Sequence, residues 1–187
     1  CRTYDLARPP VVLVYMMGTP AAGVGPQDVA LDIIRNVFSD GFVKNRIMEF
    51  AGPGIAGLSM DFRNGIDVMT TEASCVSTIW QTDSTVKDWL SVHKRENEYR
   101  EIRPSRLAYY DYLLEVDLGE VKPMIALPFH PSNAYTIEEV NENPEDILRL
   151  TEENCNAQMK EFGLKMDLRS KIEHGRLRVD QGVIAGC

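Results

Sequence analysis

The sequence predicts an α/β fold, with a mostly parallel sheet flanked by helices. Residues 11–16 form a continuous apolar run, which is typical of a strand buried on both faces of a parallel sheet. A helical pattern begins at Pro26, and residues 47–51 form a second short strand. Strand, helix and strand in this order indicate a parallel sheet, because two parallel strands need a crossover connection.

The first helix is predicted from its entry, its charge and its periodicity. A glycine-rich turn at residues 18–25 leads to Pro26, which suits the first turn of a helix. Asp28 and Asp32 lie early, where the helix dipole favours negative charge, and Gly41 is expected to end the segment. Apolar residues at helical spacing predict the buried stripe, which comprises Val29, Ala30, Ile33, Ile34, Val37 and Phe38.

Two more helices and one strand are predicted next. Ser59 can cap the second helix, and residues 75–80 form a strand. Asp83 or Ser84 caps the third helix. Residues 93–106 are dense in charge, which is typical of a solvated helix end and loop.

The rest of the chain predicts three strands and one long helix. Residues 110–118 alternate between the two faces of a half-buried strand, and residues 124–127 form another. A long helix is expected from Asn143 to Gly163, followed by an apolar strand at residues 177–185. The inward face of the long helix is predicted to comprise Ile147, Leu148, Thr151, Cys155, Met159 and Phe162.

Composition restricts the class of protein. The 187 residues are 44% hydrophobic and 26% charged, as in soluble globular proteins. The net charge of −8 argues against a nucleic-acid surface, which needs clustered Lys and Arg. No apolar run approaches the length of a membrane span, so no membrane partner is expected. The four cysteines form no C-x-x-C pair, and free thiols indicate a reducing, cytoplasmic setting.

Two segments have competing interpretations. The glycine turn at residues 18–25 lies between a strand and a helix, where a phosphate-binding loop would lie. It lacks the Lys-Ser/Thr of a P-loop and does not match G-x-G-x-x-G. These differences favour a tight turn without a ligand. Glu72 either prolongs the inward stripe of the Ser59 helix or faces water after a helix that ends near Thr70. A carboxylate on the inward stripe would need a partner or a functional site.

Cys187 follows the last predicted strand on a glycine turn. Ligands and catalytic groups gather at the carboxyl ends of strands in α/β sheets, so Cys187 is a candidate ligand. The three histidines, by contrast, show no spacing that supports a metal site. His93, His130 and His174 are therefore predicted to be surface or loop residues.

Five segments, in order along the chain, carry a family resemblance. They are PAAGVGPQDVA at residues 20–30, MEFAGPG at 48–54, MTTE at 69–72, the strand pair within 110–131 and GVIAGC at 182–187. The second resembles a Glu-Tyr/Phe-x-Gly-Pro-Gly segment, and the fifth resembles the strand and turn that present a cluster cysteine. In order and spacing these segments resemble the aconitase family across nearly the whole chain.

The resemblance implies a role for two residues. Cys187 matches the first of three cysteines that bind a [4Fe-4S] cluster. Glu72 matches the glutamate that hydrogen-bonds the hydroxyl or water on the open iron, whereas a serine of a later domain removes the carbon-bound proton. Such enzymes isomerise a hydroxy-polycarboxylate, here expected to be of the citrate/isocitrate class, by dehydration and rehydration. Val68 replaces an asparagine common in the family, which indicates a divergent branch.

The resemblance also implies an organisation. Residues 1–119 are expected to be the family's middle domain, and residues 120–187 the opening of the next. Because the chain begins at Cys1 and ends just after a strand, it is expected to be cut from a longer protein. Alone it is expected to be inactive and without a cofactor, and its exposed domain surface should contact the remaining domains or a second copy. A free-standing α/β module for small anions and a non-enzymatic interaction fragment are the alternatives.

Overall fold

The computed structural model describes residues 3, 5 and 7–183. Within them the first part of the chain forms a unit of four strands and three helices, here called the sheet unit. Its strands are β1 Val11–Met17, β2 Ile47–Ala51, β3 Ser77–Trp80 and β4 Tyr112–Asp117. Its helices are α1 Pro26–Val37, α2 Met60–Asp67 and α3 Ser84–Val92.

The sheet confirms the predicted α/β class. The strand order is β3-β2-β1-β4, and all three pairings are parallel. Val14 of the central strand β1 lies opposite Phe50 of β2 and Leu114 of β4. Val12 and Val14 are fully buried, but the alternate residues of β1 are only partly buried. The prediction that both faces of β1 are completely buried is therefore wrong for one face, which is only partly covered.

The helices of the sheet unit begin where the sequence predicts. Pro26 opens α1, and the predicted stripe from Val29 to Val37 is buried against the sheet. The Ser59 hydroxyl accepts a hydrogen bond from the Phe62 N–H and caps α2. Of the two candidate caps for α3, the Asp83 carboxylate accepts from the Val86 N–H, so Asp83 is the cap.

A smaller unit follows, here called the hairpin unit. Its elements are β5 Met124–Ala126, β6 Ala134–Thr136, α4 Ile137–Glu142, α5 Pro144–Met159, β7 Ile172–Glu173 and β8 Arg176–Leu177. β5 and β6 are antiparallel, as are β7 and β8. A separate apolar cluster forms its core, comprising Leu127, Val140, Ile147 and Leu148.

Two predictions for this unit are wrong. Residues 177–185 do not form a long strand, because β8 ends at Leu177 and residues 178–183 are irregular. A strand needs a neighbour for its backbone hydrogen bonds, and β8 pairs with only two residues of β7. Residues 184 and 185 lie outside the described part. Phe162 is 75% exposed rather than inward, because α5 ends at Met159 before the stripe reaches it.

Within the described ranges, no helix is long and apolar enough to cross a bilayer.

Candidate functional site

The turn after β2 brings two backbones unusually close. Gly52 has a φ of +118°, and a Cβ there would clash with the Met16 carbonyl and lie 2.9 Å from the Met16 nitrogen. A Cβ at Gly54 would lie 3.1 Å from the Leu118 side chain. The Gly-Pro-Gly sequence is therefore required by the contact between the ends of β1 and β2. It shapes the carboxyl edge of the sheet, where ligands bind in parallel α/β folds.

The glycine-rich turn before α1 is already filled by a carboxylate. Asp28 accepts a hydrogen bond of 2.7 Å from the Gly25 N–H at the start of the helix. Its other oxygen accepts a 2.7 Å hydrogen bond from the Met124 N–H of the hairpin unit. A negative group at this position opposes a bound anion, and the Gly25 donor has a partner. The geometry therefore favours a tight turn over a phosphate cradle.

Glu72 lies outside α2, on a short 3₁₀ turn. The helix ends at Asp67, with Val68 as its C-cap, and the 3₁₀ turn spans Thr70–Ala73. The Glu72 side chain is 47% exposed. Of the two alternatives, the one in which the helix ends before Glu72 is confirmed, and the helix ends earlier than the expected Thr70.

Glu72 faces a histidine of the hairpin unit. The His130 Nε2 lies 3.9 Å from the Glu72 Oε2. The His130 ring is half-buried and packs on the Phe38 ring, with 4.1 Å between the centroids. His130 does lie in a loop, between β5 and β6, as predicted. Sequence reasoning gave it no role because nothing local to either residue indicates that the two side chains meet.

A cavity of about 730 Å³ is lined by residues close in sequence to this pair, but not by Glu72 or His130 themselves. Its wall includes Met69, three residues before Glu72, and Pro131, directly after His130. Its wall also includes Val179 and Val183, in the last described segment of the chain. The cavity therefore lies between the sheet unit and the hairpin unit, with a wall that is largely apolar.

The described residues do not by themselves form a metal centre. Within residues 3, 5 and 7–183 no three His, Cys, Asp or Glu side chains are grouped so that they could hold a metal ion. Burial raises the pKa of the Cys75 thiol and of the Cys155 thiol, which disfavours the thiolate form that binds metals. The predicted ligand Cys187 lies outside the described residues.

A buried ion pair fixes α2 near the Gly-Pro-Gly turn. The Arg63 side chain is 3% exposed and lies 2.6 Å from Asp83, which is 25% exposed. The Arg63 guanidinium also donates to the carbonyls of Leu58 and Ile55. Burial raises the pKa of Asp83, but the hydrogen bonds from Arg63 and Val86 outweigh it, so the pKa of Asp83 lies below its ordinary value.

A second ion pair joins the two units. Arg35 of α1 donates two hydrogen bonds, of 2.7 and 2.9 Å, to the Glu139 carboxylate of α4. The pair with Arg35, and a hydrogen bond from the Thr136 N–H, lower the pKa of Glu139 to about 2. The carboxylate is thus charged throughout the range in which proteins are usually studied.

Comparison with known proteins agrees with this architecture. The family model described as "Aconitase family (aconitate hydratase)" matches residues 1–187. The chain is 34% identical over 132 residues to the 3-isopropylmalate dehydratase large subunit of Acetivibrio thermocellus, which covers 71% of this chain and 31% of that protein. It is 25% identical over 169 residues to 3-isopropylmalate dehydratase large subunit 1 of Thermotoga maritima, covering 90% and 40%. Aconitase htyD of Aspergillus rugulosus is 31% identical over 142 residues, covering 74% and 16%.

These matches define the family of this α/β protein. The chain belongs to the aconitase family. The chain spans 31% of the length of the first of these relatives.

Proposed function

We propose that this chain is part of an aconitase-family hydro-lyase in which Glu72 acts on the hydroxyl group of a hydroxy-carboxylate. The observation that carries the proposal is the approach of Glu72 to His130 across the junction of the two units. Met69 and Pro131, which are close to these residues in sequence, line the cavity between the units. The residue type and place match the family's active-site glutamate. The alternative of an anion-binding module is disfavoured by Asp28, which occupies the glycine turn.

The chemistry available to Glu72 is proton transfer. A carboxylic acid can give its proton to a departing hydroxyl group, and the resulting carboxylate can accept a proton when water adds back. Water loss and return at neighbouring carbons isomerise the substrate. Because Glu72 is half-exposed, it can exchange protons with solvent between the two steps.

We propose two candidate substrate classes. The names of the relatives favour a 3-isopropylmalate-like dicarboxylate, and the family resemblance alone gives the citrate/isocitrate class. A largely apolar cavity wall, including Met69 and Val179, favours a substrate with an apolar substituent. A direct comparison of both substrates distinguishes these classes.

A [4Fe-4S] cluster in the complete protein belongs to the same proposal. Cys187 is its proposed first ligand, in line with the resemblance. The described residues do not fit a cluster by themselves, so no step is derived through it. The other ligands and the base that removes the carbon-bound proton would come from further domains, and the chain alone is proposed to be inactive.

The proposed organisation has a domain boundary near residues 119 and 120. Two separate apolar clusters support it, since the first ends at Val121 and the second begins at Leu127. Two of the relatives are named large subunits, which supports a further subunit or domain as partner. The free thiols of Cys75 and Cys155 support a cytoplasmic location.

The test is a matched pair of substitutions in the full-length protein that contains this chain. Glu72→Gln should lower kcat by about 10²- to 10⁴-fold on the preferred substrate, because it removes the proton-transfer group. Glu161→Gln is the control, since Glu161 is also exposed but lies in the 3₁₀ turn that follows α5. Both 3-isopropylmalate and citrate are assayed. A Glu72→Gln enzyme that keeps activity within twofold of the Glu161→Gln enzyme would rule out the proposed role.

A further inference from the structure

We propose that His130 is a positioning residue for Glu72, and that it holds the carboxylate by directing its Nε2–H at it. This rests on the proposed function, because it assigns a partner to the same carboxylate. The geometry places the pair across the junction of the two units, with Glu72 in the sheet unit and His130 in the hairpin unit.

The hydrogen bonds of the ring select its tautomer. The Ser132 backbone N–H donates to the His130 Nδ1 at 3.1 Å, and a backbone amide can only donate. Nδ1 is therefore the acceptor, and the neutral imidazole carries its proton on Nε2. The Ser132 hydroxyl, 2.9 Å from the same Nδ1, can donate as well. The ring atom nearest Glu72 is thus a donor in both the neutral and the charged form.

The ring is fixed more firmly than the carboxylate. His130 packs on Phe38 at a centroid distance of 4.1 Å, which holds the ring plane. The loop that carries it is tied to α5, because the Asn133 amide donates to the Pro128 carbonyl at 2.9 Å and to the Thr151 hydroxyl at 3.3 Å. Glu72 lies on a 3₁₀ turn of four residues with half its side chain exposed. The rotamer of Glu72 is therefore the freer partner.

The pair contributes little to the stability of the fold. The two side chains are 39% and 47% exposed, and exposed ion pairs contribute little to folding. At 3.9 Å the contact is too long for a direct hydrogen bond and suits an ion pair or one bridging water. A small rotation of Glu72 changes its direction without disturbing the core. His130 consequently limits where the carboxylate can point.

The tautomer and the contact are tested on this 187-residue chain by ¹⁵N NMR of labelled histidine. We expect neutral His130 to carry its proton on Nε2, and we expect Glu72→Gln to move the His130 Nε2 resonance. The resonances of His93 and His174, which belong to other parts of the chain, should not move. A proton on Nδ1, or a His130 resonance unchanged by Glu72→Gln, overturns the proposal without bearing on hydro-lyase activity.

The positioning role is tested in the full-length protein. His130→Ala should lower kcat about tenfold with KM changed by less than twofold, and His130→Gln, whose amide can still donate, should restore most of the loss. His174→Asn is the control, because His174 has a φ of +53° in an exposed turn that Asn tolerates. Equal losses in the Ala and Gln variants, or no loss in either, refute the positioning role. An active Glu72→Gln enzyme instead refutes the proposed function.

Discussion

Replacing Asp83 by alanine should destabilise the chain by about 3 kcal/mol, because it leaves the Arg63 guanidinium buried without its counter-ion. Removing one partner of a buried ion pair costs about 3–5 kcal/mol, and the loss of a helix cap adds about 1 kcal/mol. Asp83 is 25% exposed, and Arg63 keeps two carbonyl partners, at Leu58 and Ile55. These two facts move the expected total to the lower end of the range.

The measurement is urea unfolding of the chain at neutral pH, with Asp83→Asn as the matched variant. Asparagine caps a helix as well as aspartate does, so this variant loses only the charge and should cost about 1–2 kcal/mol. Because the folded pKa of Asp83 is lowered, its contribution is complete above the ordinary value of 3.8 and disappears as the pH falls through the folded value. The difference in the free energy of unfolding between wild type and Asp83→Asn should therefore disappear in acid. A loss below about 1 kcal/mol for Asp83→Ala would refute the reasoning.

Three further substitutions test other parts of the fold. Gly52→Ala should cost about 3 kcal/mol or more in thermal unfolding, because the new Cβ meets the Met16 backbone at a φ of +118°, and a stability near wild type would contradict that close approach. Glu139→Gln should lower the free energy of unfolding in urea by about 1 kcal/mol, after allowance for a side chain that is 38% exposed. This loss of stability should vanish as the pH falls from 4.5 through the folded pKa of about 2. A loss that persists in acid would exclude the Arg35 pair as its cause. Leu148→Ala should cost about 2–5 kcal/mol and lower the hydrogen-exchange protection of α5, since Leu148 is fully buried, and unchanged protection would argue against its core position.

The sheet unit could be predicted because its signals are local. The β1 run, the stripe of α1 and the caps at Ser59 and Asp83 each depend on residues within one or two turns of each other. The same reasoning failed at residues 177–185, where an apolar pattern indicated a strand. An apolar sequence pattern shows that a segment can form a β-strand. Only the tertiary structure decides whether a neighbouring strand is present to pair with it.

The candidate site was only half predictable. Glu72 could be named from the sequence, but whether it lay on the inward stripe depended on where α2 ends, and helix ends are the least certain feature of a pattern. His130 could not be named, since its partner is distant in sequence and its tautomer depends on a turn within its own loop. The domain boundary and the role of Cys187 stay predictions.

The contact between Glu72 and His130 depends on how the two units are held together, and Asp28 is central to that. Its carboxylate accepts one backbone hydrogen bond from Gly25 in its own unit and one from Met124, the first residue of β5. Charge-assisted hydrogen bonds from backbone N–H groups are stronger than exposed ion pairs. Because β5 leads directly into the loop that carries His130, the Asp28 carboxylate sets the start of that loop relative to α1. The residue that fills the glycine turn, and so disfavours an anion there, therefore also ties the strand before the His130 loop to α1, as the Arg35–Glu139 pair ties α4 to it.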